Sequence, residues 1–161
     1  MIDAYTAALR ILQYRFNSEA ELRRKLRARK FEKDDIDAAI ARLHREKWLD
    51  DQRFAGAFVR TRSNKRVGRL RIRRELQAAG VSDSVSAQAI EENVDPERER
   101  ESLVALCERR LRVLVRREGE EALQSGELHA KLISYLIGHG YDSALAREVA
   151  RDAIRARAEK R

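Results

Sequence analysis

Residues 71–81 read RIRRELQAAGV. Ile72 and Leu76, four apart, lie on one face of a helix. Gly80 follows four residues later, where a helix ends on a left-handed residue. Val81 then packs back onto the helix just ended. The same frame occurs twice more without gaps, as ELRRKLRARKF at 21–31 and AKLISYLIGHGY at 130–141. Leu22, Leu26, Lys30 and Phe31 stand in register with Leu132, Leu136, Gly140 and Tyr141. In the first copy Lys30 takes the glycine position, at a modest cost in strain. Each copy then restarts on polar residues: Lys33-Asp34, Ser82-Asp83 and Asp142-Ser143.

Outward from this frame, each copy carries a helix before it, over 3–15, 51–63 and 96–115. The third begins at Asp95-Pro96, an N-cap followed by proline at the first helical position. Ser18-Glu19-Ala20-Glu21 is a capping box. A last helix closes each copy, through Ile36, Ile40 and Leu43, then Val85, Ala89 and Ile90, then Leu145, Val149 and Ile154. The expected fold is all-α, with three tandem three-helix repeats forming an elongated, curved array. The expected domains are 1–49, 50–94 and 95–161. No unit of this size buries its apolar face well alone, so the units pack end to end. Leu22, Ile72 and Leu132 are 50 and then 60 residues apart. The third repeat therefore holds an insertion near 116–127.

Charge says more about function than composition does. The 161 residues are 39% charged, with a net charge of +8. Between Arg60 and Arg74 stand eight basic side chains and no acid: Arg60, Arg62, Lys65, Arg66, Arg69, Arg71, Arg73 and Arg74. Like charges this dense repel unless an anion neutralises them. A phosphate backbone fits, since arginine binds phosphate oxygens bidentately. Ser63 to Gly68 reads as a turn, and the helix opened by Gly68 is expected to face a phosphate. Such contacts position a protein without reading sequence. Arg23, Arg24 and Arg27 form a secondary basic face, with acids nearby.

Other chemistry is not expected. There is no GxxxxGK[ST] phosphate cradle. His44, His129 and His139 lie far apart, without cysteine partners, so no metal site is expected. Gly138-His139-Gly140 reads as helix-end punctuation. Cys107 sits among Leu103, Leu106 and Leu111 as a buried small hydrophobe. The pairs Asp34-Asp35 and Asp50-Asp51 serve helix starts, and Glu91-Glu92 a solvated face. Trp48 is expected to anchor the first repeat on the second. No catalytic residue, cofactor or enzymatic activity is expected. A single cysteine, no long apolar run and a polar N-terminus suggest a cytoplasmic protein without membrane contact. An array with capped ends needs no second copy, so a monomer is expected.

The middle of the chain resembles the RecX family, regulators of the RecA recombinase. The resemblance rests on Trp48-Leu49-Asp50-Asp51-Gln52-Arg53-Phe54-Ala55, then Arg66-Val67-Gly68, then Ile72-Arg73-Arg74-Glu75-Leu76 with Gly80-Val81. Ser18 to Leu26 matches as well, so it covers about residues 5–95. The resemblance implies three tandem three-helix units. It also implies binding to RecA, chiefly as the filament on single-stranded DNA, with damped ATP hydrolysis, strand exchange and coprotease activity. The other reading of basic three-helix units is a helix-turn-helix transcription regulator. Against it, Asn64 and Gln77 are the only base-reading amides in reach of the basic stretch.

Overall fold

The computed structural model describes residues 1–160. Among these, all regular structure is helical: nine α-helices and one short 3-10 helix. The first copy contributes α1 (Ala4–Leu12), α2 (Glu19–Ala28) and α3 (Lys33–Arg45), the second α4 (Asp51–Asn64), α5 (Arg69–Ala78) and α6 (Asp83–Asn93). The third contributes α7 (Pro96–Glu118), the 3-10 helix (Glu120–Gln124), α8 (Gly126–Gly138) and α9 (Ser143–Glu159). The chain forms a helical repeat array. Its last arginine, Arg161, lies outside the described residues.

The aligned positions form the core. Leu22, Leu26, Ile72, Leu76, Leu132 and Leu136 are all 0% exposed. Each middle helix ends as its sequence indicates. Lys30, Gly80 and Gly140 have φ of 64°, 79° and 93°. Phe31 and Val81 donate their N–H to the carbonyls of Leu26 and Leu76, at 3.3 and 3.0 Å. Lys47 (φ 60°) and Arg66 (φ 56°) adopt the same left-handed conformation, which their sequence context did not signal. Ser18 caps α2 as a full capping box with Glu21. Asp95 caps α7, with Pro96 in its first turn. The third copy takes up part of its extra length in α7, 23 residues against 14 in α4.

Two compact units are present: residues 1–59 with 73–93, and residues 60–72 with 94–161. The same joint recurs within each. In the first unit the Ser18 hydroxyl donates to the Ala79 carbonyl at 2.5 Å. The Glu19 N–H donates to the Asp51 carboxylate at 2.8 Å. A Cβ on Gly80 would lie 2.3 Å from the Ala20 Cβ. In the second unit the Gly68 N–H donates to the His139 carbonyl at 2.8 Å. The Arg69 N–H donates to the Glu99 carboxylate at 3.1 Å. Glu19 and Arg69 are equivalent positions, as are Ala79 and His139. The start of one middle helix thus meets the end of the next copy's middle helix. A carboxylate from that copy's first helix closes the joint. This gives Asp50-Asp51 two distinct tasks. Asp50 accepts the Gln52 N–H at 2.9 Å to start α4, while Asp51 reaches the start of α2.

One expectation changes here. Trp48 is 55% exposed, whereas its neighbour Leu49 is 2% exposed. The helix face closes on the leucine, so the tryptophan is not a buried anchor. Cys107 is fully buried, and burial pushes its thiol up to about 12, in agreement with a packing role.

Candidate nucleic-acid interface

The basic stretch starts on α4 and crosses the link 65–68 into α5. Helix α4 ends at the left-handed Arg66, whose N–H donates to the Ser63 carbonyl at 2.9 Å. The Val67 N–H then donates to the Arg62 carbonyl at 3.2 Å. The link is held on its other side by Tyr141, whose hydroxyl donates to the Arg66 carbonyl at 3.0 Å. Burial pushes the Tyr141 hydroxyl up to about 12; the Glu99 charge adds to this and Arg66 opposes it.

The start of α5 is not open to an external phosphate. The Gly68 and Leu70 N–H groups donate to the carbonyls of His139 and Gly140. The Glu99 carboxylate takes the Arg69 N–H and also the Arg69 side chain, at 2.8 Å. The favourable anion site at this helix N-terminus is filled by the protein's own carboxylate. Gly138-His139-Gly140 is thus more than punctuation, because its carbonyls receive α5.

The eight basic residues have different surroundings. Within the second unit, Lys65 and Arg66 are exposed and have no ion pair among the described residues. Arg69 is paired with Glu99. Arg71 reaches the Gly138 carbonyl at 3.5 Å. Arg60, Arg62 and Arg71 each interact with further groups of the protein. Within the first unit, Arg73 lies 3.8 Å from Asp83. Arg74 is exposed and has no ion pair among the described residues. The secondary face divides similarly. Arg23 pairs with Glu19 at 2.7 Å and Asp37 at 2.5 Å, while Arg24 and Arg27 are exposed.

Two basic concavities escaped the sequence reading. In the first unit, Arg10, Ile11, Tyr14, Arg15, Lys25 and Arg29 line a groove of about 530 Å³. Burial, then the Arg15 charge, lowers the Lys25 pKa. In the second unit, Lys65 and Arg66 line a cleft of about 390 Å³ whose other wall comes from α7 and α8. A signal for its α7 side was present. Residues 109–117, RRLRVLVRR, hold five arginines and no acid. They follow a run of alternating Glu and Arg, which masks them.

Among the described residues, no group of three His, Cys, Asp or Glu is placed to hold a metal ion. No helix of these residues is long and apolar enough to cross a membrane.

Tandem three-helix repeats joined by a basic link define the class, and comparison with known proteins gives the family. Residues 4–43 match the family model for the first three-helix domain of RecX, and residues 50–90 that for the second. Regulatory protein RecX of Serratia proteamaculans (strain 568) is 32% identical, over 94% of this chain and 98% of its own length. That of Haemophilus influenzae (strain PittGG) is 31% identical, over 87% and 88%. That of Xanthomonas campestris pv. campestris (strain B100) is 48% identical over half of each chain. The crystal structure of RecX from Lactobacillus salivarius has the same fold, with a TM-score of 0.78 at 24% identity, covering 93% of this chain and 94% of that one. The chain belongs to the RecX family of regulatory proteins.

Proposed function

We propose that the chain regulates recombination and DNA repair by binding RecA and its filament on single-stranded DNA. On this reading it inhibits or modulates ATP hydrolysis, strand exchange and coprotease activity by binding, with no catalytic step of its own. It acts as a monomer in the cytoplasm, through the repeats 1–49, 50–94 and 95–161. Family membership together with the exposed Lys65, Arg66 and Arg74 carries the reading. A filament offers DNA phosphates and acidic protein surface along one path, and basic residues without internal partners suit both. Arg60, Arg62, Arg69, Arg71 and Arg73 complete the proposed contact region, with their internal partners holding them in place.

The test is retention on the filament. Cognate RecA is assembled on a long single strand with a non-hydrolysable nucleotide, and the chain is sedimented with it. Wild type is expected in the pellet at near-stoichiometric amounts. A variant carrying Lys65→Glu, Arg66→Glu and Arg74→Glu stays in the supernatant. Wild type remaining in the supernatant overturns the reading.

A further inference from the structure

We propose that the cleft between the α4–α5 link and helices α7 and α8 is a phosphodiester-binding subsite for single-stranded nucleic acid. The third repeat then supplies part of the contact with DNA. This rests on the polyanion reading above and assigns it residues that neither the basic stretch nor the family models contain.

Two segments bring positive charge to one concavity, Lys65 and Arg66 from the link and Arg109 and Arg110 from α7, and the end of α8 adds the His139 ring. No carboxylate lines the cleft. In a chain with 27 acidic residues this is a local exclusion. Elsewhere in the same unit cations meet acids: Arg69 meets Glu99, Arg100 meets Glu148, Lys131 meets Glu118 and Arg157 meets Glu120. Lys65, Arg66 and Arg109 have no such partner among the described residues.

The cleft is also built. The Arg110 guanidinium lies 4.6 Å over the centre of the Tyr135 ring, which fixes its plane. Its Nε is buried and without a hydrogen-bond partner, a condition that in a folded protein calls for a functional explanation. The His139 ring centre is 4.3 Å from that of Tyr135. A ring nitrogen of His139, Nδ1, donates to the Tyr135 carbonyl at 2.8 Å, so the imidazole is held as well. Arg66 keeps a left-handed backbone, which is strained for an arginine. The Tyr141 hydroxyl holds it there. A volume of about 390 Å³ is in the range that admits a nucleotide-sized group. A row of Arg, Tyr and His beside free cations suits a backbone phosphate with an unpaired base next to it, and not duplex DNA.

The test is binding of a fluorescent oligo(dT) by anisotropy across a salt series, with wild type and two single variants of α7. Arg109 lines the cleft, and Arg112, exposed on the same helix, does not. Arg109→Ala is expected to weaken binding several-fold. It also reduces the slope of log K against log salt by about 0.7, the value for one phosphate contact on a single strand. Arg112→Ala leaves the slope unchanged. Both positions are exposed, and far-UV circular dichroism confirms that the variants fold. Equal slopes for Arg109→Ala and wild type overturn the subsite, and if wild type still binds the filament, the regulatory reading stands without it. Loss of filament binding in Arg109→Ala with oligo(dT) binding intact also overturns it, because the cleft then faces protein. Competition by ATP or inorganic phosphate at the concentration of oligo(dT) phosphates assigns the cleft to free anions and contradicts the proposal.

Discussion

Gly68 and Gly140 are in backbone contact: a Cβ on Gly68 would lie 2.4 Å from the Gly140 carbonyl carbon and oxygen. A Cβ on Gly140 would meet the Arg71 Cβ at 2.3 Å. Both neighbours are rigid, so the clash is not relieved by turning a side chain. Gly140 also has a positive φ. Gly68→Ala and Gly140→Ala are expected to destabilise the second unit by about 2 kcal/mol or more, measured by urea denaturation. Gly126, with nothing within 4 Å of an added Cβ, is the control. Gly126→Ala is neutral or stabilises by up to about 1 kcal/mol.

The Asp51 carboxylate closes the joint at the start of α2, and burial raises its pKa. Its oxygen is useful there and its charge is not. Asp51→Asn retains an acceptor and is expected to be neutral or mildly stabilising at pH 7. Asp51→Ala leaves the Glu19 N–H without its partner and costs about 1 kcal/mol. Thermal unfolding of the two variants side by side separates the oxygen from the charge.

Acid weakens the first unit through particular carboxylates. The Asp37 pKa is lowered by hydrogen bonds from Arg23 and Lys33, and that of Glu46 by Tyr5 and Arg42. For Glu19, burial acts upward, but the hydrogen bonds with Arg23 and His44 outweigh it and the net shift is down. A lowered folded pKa gives stability that is fully present above the unfolded value, near 4. It is lost as pH falls through the folded value. Asp51 runs the other way: its unfavourable contribution, present above its raised folded value, disappears as pH falls. Urea midpoints are expected to fall between pH 5 and pH 2. Arg23→Ala, which removes a partner of both Glu19 and Asp37, flattens that fall.

Cys107, with its thiol raised to about 12 and its side chain fully buried, is expected to resist iodoacetamide at pH 8 in the folded chain. It reacts readily in denaturant, because only the thiolate is nucleophilic. Mass spectrometry of the alkylated protein reads this directly. Rapid labelling without denaturant contradicts the packing account.

The fold was legible because its signals are local. Leu22 and Leu26, Ile72 and Leu76, and Leu132 and Leu136 are each spaced as one helix face, and Lys30, Gly80 and Gly140 mark the same chain reversal. Lys30 was readable only by register with the two glycines, since a lone lysine signals nothing. What escaped depends on contacts distant in sequence. Glu99 lies 30 residues from Arg69, and nothing in Arg69 to Leu76 shows that this helix start is already neutralised. Trp48 and Leu49 both suit the closing of an apolar face, and only the packed structure shows that the leucine takes it. The cleft residues Arg109 and His139 belong to a repeat whose functional pattern is weak. Their meeting with Lys65 is a property of the joint, not of any one segment.

The most direct measurement is ATP hydrolysis by cognate RecA on single-stranded DNA, titrated with this chain and with the variant carrying Lys65→Glu, Arg66→Glu and Arg74→Glu. These positions leave the Arg69–Glu99 pair intact. The account predicts that wild type lowers the rate at or below one chain per RecA and that the variant does not. An unchanged rate with wild type, under conditions where it is bound to the filament, contradicts it.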